Sequence, residues 1–486
     1  MTRILPRSTP EEQGVSSAAV IRFVDALQRE VPGMHSLMLL RHGQVIAEGW
    51  WHPYSERMPH AMFSVSKSFT STAVGFAVEE GLLSLDDRVV ELLAADAPEV
   101  VSDNLAAMTV RHLLTMTTGH AVDSVDSVSV ADENWTRALL ALPVPLEPGT
   151  RFVYDSGASY LLSAIVQGLT GQRMLDYLAP RLLDPLGIVG ATWEQSPNGI
   201  DAGGWGLSIT TEDMAAFGLV YLDGGRFAGR QIVPATWVAE ATALQVENGE
   251  HLPGDDDSHG YGFQFWRNRH GTYRADGAFG QVAVVFPEQD ALLVLTGGHT
   301  EKQSSLSAAW EHLLPVLGAA ETLPADAASQ TRLVETVARL AAPTPSGDAS
   351  SPLAATVGGR RFVFPSNAGR ISSAVLDFAP EADTLTVVDA AGEHRVGGRR
   401  LGAALRRADR GRRGRGLGRR PVVHRGGALR GDALRGHAVV RFPRRRGGAR
   451  RGAERVLRRH PAGADGRPLL ARPGSRPARR SSADAE

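Results

Sequence analysis

A serine followed three residues later by a lysine opens a long apolar run at Phe63-Ser64-Val65-Ser66-Lys67-Ser68. If Ser64 lies in the first turn of a helix, Lys67 shares its face, and hydroxyl and ammonium can meet. A serine hydroxyl is a weak nucleophile until a neighbour takes its proton, and lysine can be that base once burial or another cation lowers its pKa. A helix N-terminus adds free backbone N–H groups and partial positive charge where an oxyanion would form. Composition singles the pair out. Lys67 and Lys302 are the only lysines in a chain with 52 Lys plus Arg, and arginine keeps its proton at neutral pH. The alternative is an ordinary solvated lysine that happens to follow a serine.

Two further stretches could complete such a site. In EPGTRFVYDSGASYLLSAIVQGLTG, residues 147–171, Tyr154 and Ser156 stand where an extended stretch turns into a helix. The phenol could shuttle a proton and the Ser156 hydroxyl could hold the lysine; Tyr154 could equally be a packing aromatic with a satisfied hydroxyl. Gly277 and Gly280 bracket a place where backbone can approach a ligand closely, or where glycine relieves a bulge. His112 reads as a helix-surface or partly packed residue, since no second ligand is spaced to join it, and His120 follows a turn glycine. No metal site is expected.

The elements that must hold these groups follow from period and turn signals. Ser16 or Ser17 can cap a helix carrying Val20, Ile21, Phe23, Val24 and Leu27 before Pro32 ends it. SLMLLRHGQVIAEGWW reads as two strands joined at His42-Gly43, neighbours in an antiparallel sheet. The helix from Ser64 would pack on that sheet through Phe69, Ala73, Phe76 and Ala77 and stop at Gly81. The runs LLSLDDRVVELL and MTVRHLLTMTTGH suggest an inserted, mostly helical region, and a Thr-capped helix is expected from about Thr211. GYGFQFW, GTYRADGAFGQVAVVFP and ALLVLTGG are three strand-like runs, the last two joined at Pro287-Glu288. The expected class is α/β of the α+β kind, an antiparallel sheet flanked by helices with an inserted helical subdomain.

Composition bounds the rest. At 486 residues and 43% hydrophobic content the chain can bury a core, and no window approaches the roughly 18 unbroken apolar residues of a membrane span. The opening MTRILPRSTPEEQGVSS lacks the apolar stretch of a secretory signal, so a cytoplasmic location is expected. Zero cysteines exclude disulfides, thiolate catalysis and cysteine-bound zinc. The formal charge of −1 hides an asymmetry: residues 399–486 hold 27 arginines against 6 acidic side chains, offset by an acidic excess before them.

Taken together, Ser64-x-x-Lys67, Tyr154-Asp155-Ser156 and Ala275-Asp276-Gly277 resemble, in order and spacing, the motifs of the β-lactamase and penicillin-binding-protein superfamily. The similarity is closest to the class C β-lactamase-like branch that includes esterases and the 6-aminohexanoate-dimer hydrolase, and it covers roughly residues 8 to 317. It implies a β-lactamase-like fold, Ser64 as nucleophile, Lys67 as its partner and base and Tyr154 as the proton shuttle to the leaving group. It implies an oxyanion hole from the N–H groups of Ser64 and Ala278, just beyond Gly277. Two positions depart from the pattern. Ser156 stands where the family has asparagine, and Ala275-Asp276-Gly277 lacks the family's cation, so the strand edge at Ala275 and Asp276 should repel an anionic substrate. The implied activity is hydrolysis of a neutral or cationic small ester or amide through an acyl-enzyme, with no cofactor. The alternatives are a β-lactamase or DD-peptidase, or an inactive binding protein on the same fold.

The expected domains are a hydrolase domain at 1–320, a helix and linker at 321–352, the start of a small β domain at 353–397, and an Arg/Gly/Ala-rich tail at 398–486. The tail has no Ile, Asn, Tyr, Trp or Lys and a single Phe, Phe442. It reads either as a disordered basic arm for nucleic acid or an anionic surface, or as GC-rich coding sequence translated out of frame. The second reading is preferred, because a half-finished β pattern stops abruptly. Nothing but this tail suggests nucleic acid.

Overall fold

The computed structural model describes residues 5–398, apart from 129–131, 250–251, 253, 344–352, 366–370, 379–382 and 390–391. Both readings of the tail fall on residues outside these. Helix α1 (Ser17–Glu30) buries Val20, Phe23, Val24 and Leu27 along one face, as their spacing requires. Its start is not capped by the Ser16 side chain. The buried Glu11 carboxylate accepts from the Ser17 N–H and hydroxyl at 2.7 and 2.9 Å instead. Strands β1 (Met34–Arg41) and β2 (Gln44–Trp50) form the expected hairpin. His42 and Gly43 both take left-handed φ, 49° and 71°, the conformation that suits a two-residue turn to the strand twist. Helix α2 (Ser66–Glu79) follows, then a largely helical insert whose main member is α3 (Ser156–Thr170), and then α4 (Thr211–Leu222), capped by a reciprocal Thr210–Asp213 box.

The expected strand runs are rearranged. GYGFQFW contributes only β3 (Trp266–Arg267), because Gln264 at φ 64° breaks the run. The Gln264 side chain turns inward and donates to Leu113 O at 3.1 Å. GTYRADGAFGQVAVVFP is two strands, β4 (Tyr273–Gly277) and β5 (Gln281–Phe286), paired through a turn in which Phe279 and Gly280 have φ 66° and 89°. Strand β6 (Ala291–Gly297) follows the Pro287–Gln289 turn. The antiparallel sheet runs β2-β1-β6-β5-β4-β3. Leu292 and Val294 of β6 face one core with α2, α3 and α4, while Leu293 and Leu295 face a second with α1 and α5 (Lys302–His312). Being covered on both faces explains why ALLVLTGG is continuously apolar.

Helix α6 (Ala327–Ala338) lies in the stretch read as a helix and linker. Its Leu333, with Leu340 beyond it, belongs to the α1–α5 core, and Gln330 donates to Glu11 at 2.9 Å. Residues beyond 320 are thereby packed onto that core. Strands β7 (Arg361–Val363), β8 (Ser373–Phe378), β9 (Asp383–Asp389) and β10 (Gly392–Gly398) form a separate antiparallel meander. Among the described residues no helix is long and apolar enough to cross a membrane.

Candidate active site

Ser64 occupies a 3-10 turn, Phe63–Val65, that leads directly into α2. Phe63 just before it has φ 47°, a strained backbone for a bulky residue and one that persists only where its surroundings impose it. The surroundings are visible. The Ser66 hydroxyl donates to Phe63 O at 2.6 Å and accepts from the Leu207 N–H at 3.1 Å, tying the turn to a distant loop.

One helical turn on, Lys67 is 1% exposed. It donates to Ser64 Oγ at 3.0 Å, Ser156 Oγ at 3.1 Å and Gly204 O at 2.9 Å. All three acceptors are uncharged oxygens. Burial lowers the lysine pKa to about 8, and more distant carboxylates of Asp123, Asp155 and Asp276 pull the other way. The Gly203-Gly204 pair makes the third contact possible. A side chain at Gly204 would come 2.9 Å from Ser156 O, and one at Gly203 2.5 Å from Ser159 O, so the backbone fits between α2 and α3 only without one.

The Tyr154 phenol is close enough to Ser64 to interact with it, and burial raises its pKa above the ordinary phenol value. Lys67 Nζ lies 4.7 Å above the Tyr154 ring centroid. Trp266 and Tyr261 pack against that ring, with centroids 5.3 and 6.3 Å away. Ser64, Lys67, Tyr154 and Ser156, expected from two separate stretches, are therefore brought together.

The β4–β5 hairpin abuts the same turn. A Cβ on Gly277 would lie 2.3 Å from Met62 O, so glycine lets the strand end reach the Ser64 turn. Gln281, fully buried, donates to Ala278 O and Gly297 O at 2.8 and 3.0 Å and accepts from the Gly297 N–H at 3.0 Å, locking the hairpin to β6. Phe63 and Phe279, each next to one of the two expected oxyanion donors, meet edge to face with centroids 5.0 Å apart.

Ala275 and Asp276 do not form the expected substrate edge. Ala275 is buried in the core between the sheet and α2. Asp276 points to the opposite face, where it accepts from Arg274 Nε at 2.7 Å and Lys302 Nζ at 3.1 Å. Desolvation pushes the Asp276 pKa up, but the two cations outweigh it and the carboxylate titrates below its ordinary range. Its charge is already balanced, so it does not act as a free repelling anion. Cations missing from the motif itself are present nearby on Arg274 and on α5.

Sequence reasoning missed Gly203-Gly204, whose signal was a glycine pair ahead of Trp205, and two carboxylates, Asp123 and Asp155. Asp123 accepts from the Ser156 N–H at 2.8 Å. His120, only lightly suspected, pairs with Asp155 at 3.0 Å. His112 caps its own short helix, accepting from the Thr109 N–H at 3.1 Å.

A strand hairpin presented to a serine–lysine helix start defines a hydrolase fold, and the comparisons give it a family. The beta-lactamase family pattern matches residues 18–349, and the chain belongs to that family. It is similar to the 6-aminohexanoate-dimer hydrolase of Paenarthrobacter ureafaciens, with 27% identity over 314 residues covering 59% of this chain and 79% of that protein. A solved structure from Bacillus anthracis, named as a candidate 6-aminohexanoate-dimer hydrolase, superposes with TM-score 0.54 and 21% identity over 66% of this chain and 89% of its own. The structure of SurE superposes with TM-score 0.51 and 20% identity, covering 79% of this chain and 93% of that one. The two superpositions show the shared fold.

Proposed function

We propose that this chain is a serine hydrolase that cleaves an ester or amide of a small neutral or cationic molecule through an acyl-enzyme on Ser64. The observation that carries the reading is the Lys67 ammonium, buried 3.0 Å from Ser64 Oγ among neutral oxygens. With a pKa of about 8, about one lysine in ten is neutral at pH 7 and able to take a proton. Tyr154, whose pKa is raised, stays a phenol and suits the role of acid.

In the first step Lys67 accepts the Ser64 proton as Oγ bonds to the substrate carbonyl carbon, and the carbonyl electron pair moves onto oxygen. The Ser64 and Ala278 N–H groups receive that oxyanion. The intermediate collapses, the C–O or C–N bond breaks, and Tyr154 protonates the leaving group while taking the proton held by Lys67. Water then attacks the acyl carbon, gives its proton to the same pair, and Ser64 departs reprotonated. The preference for neutral or cationic substrates now rests on a different ground from the sequence expectation. Arg274 and Lys302, the cations beside β4, are both engaged by carboxylates, so neither is free for an anionic group.

The test is a panel of neutral esters and amides, with nitrocefin for comparison, run on wild type and Ser64→Ala in parallel, together with fluorophosphonate labelling. Turnover and labelling that disappear in Ser64→Ala are expected. Equal turnover in both proteins, or absence of labelling at Ser64, overturns the reading.

A further inference from the structure

Asp155 lies between Tyr154 and Ser156 and is fully buried, yet its carboxylate touches neither Ser64 nor Lys67. Every contact it makes runs to the segment 118–124 or to the first turn of α3. Oδ1 accepts from the Ser124 N–H at 3.0 Å, the Ser124 hydroxyl at 2.6 Å and the Gly157 N–H at 3.0 Å. Oδ2 accepts from the Thr118 hydroxyl at 3.3 Å and pairs with His120 Nδ1 at 3.0 Å. His120 Nε2 is buried without a partner among the described residues, so the ring is oriented from Nδ1 alone. Gly157 allows this knot: a Cβ there would lie 2.0 Å from Ser124 Oγ.

The knot has a second strand. Asp123, adjacent to Ser124, accepts from the Ser156 N–H at 2.8 Å and the Val125 N–H at 3.1 Å. Two carboxylates therefore occupy the first turn of α3, where free N–H groups and the positive end of the helix favour them. Between them they set the backbone of Ser156, whose hydroxyl receives Lys67.

Resting on the serine-hydrolase reading above, we propose that Asp155 is a positioning residue: by clamping the 118–124 segment to the start of α3, it holds Ser156 and Tyr154 against Lys67 and places a fixed negative charge behind the lysine. A carboxylate gripped from both sides keeps its neighbours' hydroxyls within the few tenths of an ångström that proton transfer needs. The charged and titratable groups facing Lys67 are Asp123, Asp155, Asp276 and the Tyr154 phenol. Asp155 and Asp123 both favour the ammonium, opposing burial. Removing the Asp155 charge leaves Lys67 easier to deprotonate.

Asp155→Asn keeps the size and one acceptor while removing the charge. On a p-nitrophenyl ester it is expected to lower kcat by about tenfold or more with KM changed less than about threefold. The acid limb of its kcat/KM profile is expected at lower pH than in wild type. A purely structural role would not move that limb. An unmoved limb, or kcat within about threefold of wild type, overturns the proposal. If Asp155→Asn does not fold by circular dichroism, Ser124→Ala decides: it removes the 2.6 Å bond and leaves the charge. A drop in kcat at unchanged KM then supports the clamp, and unchanged kcat overturns it. Wild type that labels with fluorophosphonate beside Asp155→Asn that labels equally fast is failure of this proposal alone. Wild type that does not label at Ser64 is failure of the enclosing reading.

Discussion

The two lysines of this chain sit on either side of one aromatic pair. Lys67 lies 4.7 Å from the Tyr154 centroid, Lys302 lies 5.3 Å from that of Trp266, and the two rings are 5.3 Å apart. Lys67 is enclosed by a carbonyl and two hydroxyls. Lys302, at the start of α5 and 29% exposed, is held by Asp257 at 2.9 Å and Asp276 at 3.1 Å. Arg274 completes that second region, fully buried against Asp257, Asp276 and Asn268. A lysine becomes a base where burial is not compensated by a contacting anion, whereas carboxylates in contact hold the ammonium charged and make it a tie. On the proposed function, one region is arranged to move a proton, and the other to hold a strand edge still.

Substitutions can break this contrast. The largest effect is expected from Lys67→Met, a loss of about 100- to 10,000-fold in kcat/KM with the fold retained. Lys67→Arg should not rescue it, because guanidinium keeps its proton. Arg274→Met strikes the other region and should appear in stability. It leaves Asp276 and Asp257 short of a buried partner, and an unfolding free energy lower by about 3–5 kcal/mol is expected in a denaturant titration. Gly277→Ala tests the hairpin that joins the regions. Its Cβ would press on Met62 O at 2.3 Å and should cost about 100-fold in kcat by displacing the Ala278 N–H.

Smaller effects sharpen the comparison. With Lys67 as the proposed base, the kcat/KM profile of wild type should rise with pH through about 8, the value to which burial lowers its pKa. No fall from phenol ionisation is expected below about pH 10, because Tyr154 titrates above the ordinary phenol value. A limb near 6, or none, would remove Lys67 as the base. Lys302→Gln should be the mildest change, since Arg274 still pairs with Asp276: about 1 kcal/mol or less in stability and under about threefold in activity. Loss of activity on the scale of Lys67→Met would erase the distinction between the two lysines.

Local signals read well where a single element decided the outcome. The three-residue spacing of Ser64 and Lys67, the His42-Gly43 turn and the apolar face of α1 all follow from periods within one segment. Expectations failed where a distant partner intervened. The run through Ala278 looked like one strand because Phe279 is a poor candidate for a left-handed turn; packing against Phe63 and the Gln281 lock impose it. Asp276 looked like an exposed charge because Arg274 and Lys302 are two and 26 residues away, and only the fold sets both beside it. The helix at Ala327–Ala338 was legible as a helix but not its place in the core, since its partner Glu11 lies 319 residues from Gln330.

From the chain alone, then, came the candidate nucleophile and its candidate base, because both stand on one helical turn and their distance is a property of that turn. What the tertiary structure decided is whether the lysine can serve. Its other two acceptors, Ser156 and Gly204, come from 89 and 137 residues further on. The burial that draws its pKa toward neutrality is produced by packing α2 between the sheet and α3. Spacing along a helix is local, but the free energy of a charge depends on everything that displaces water around it.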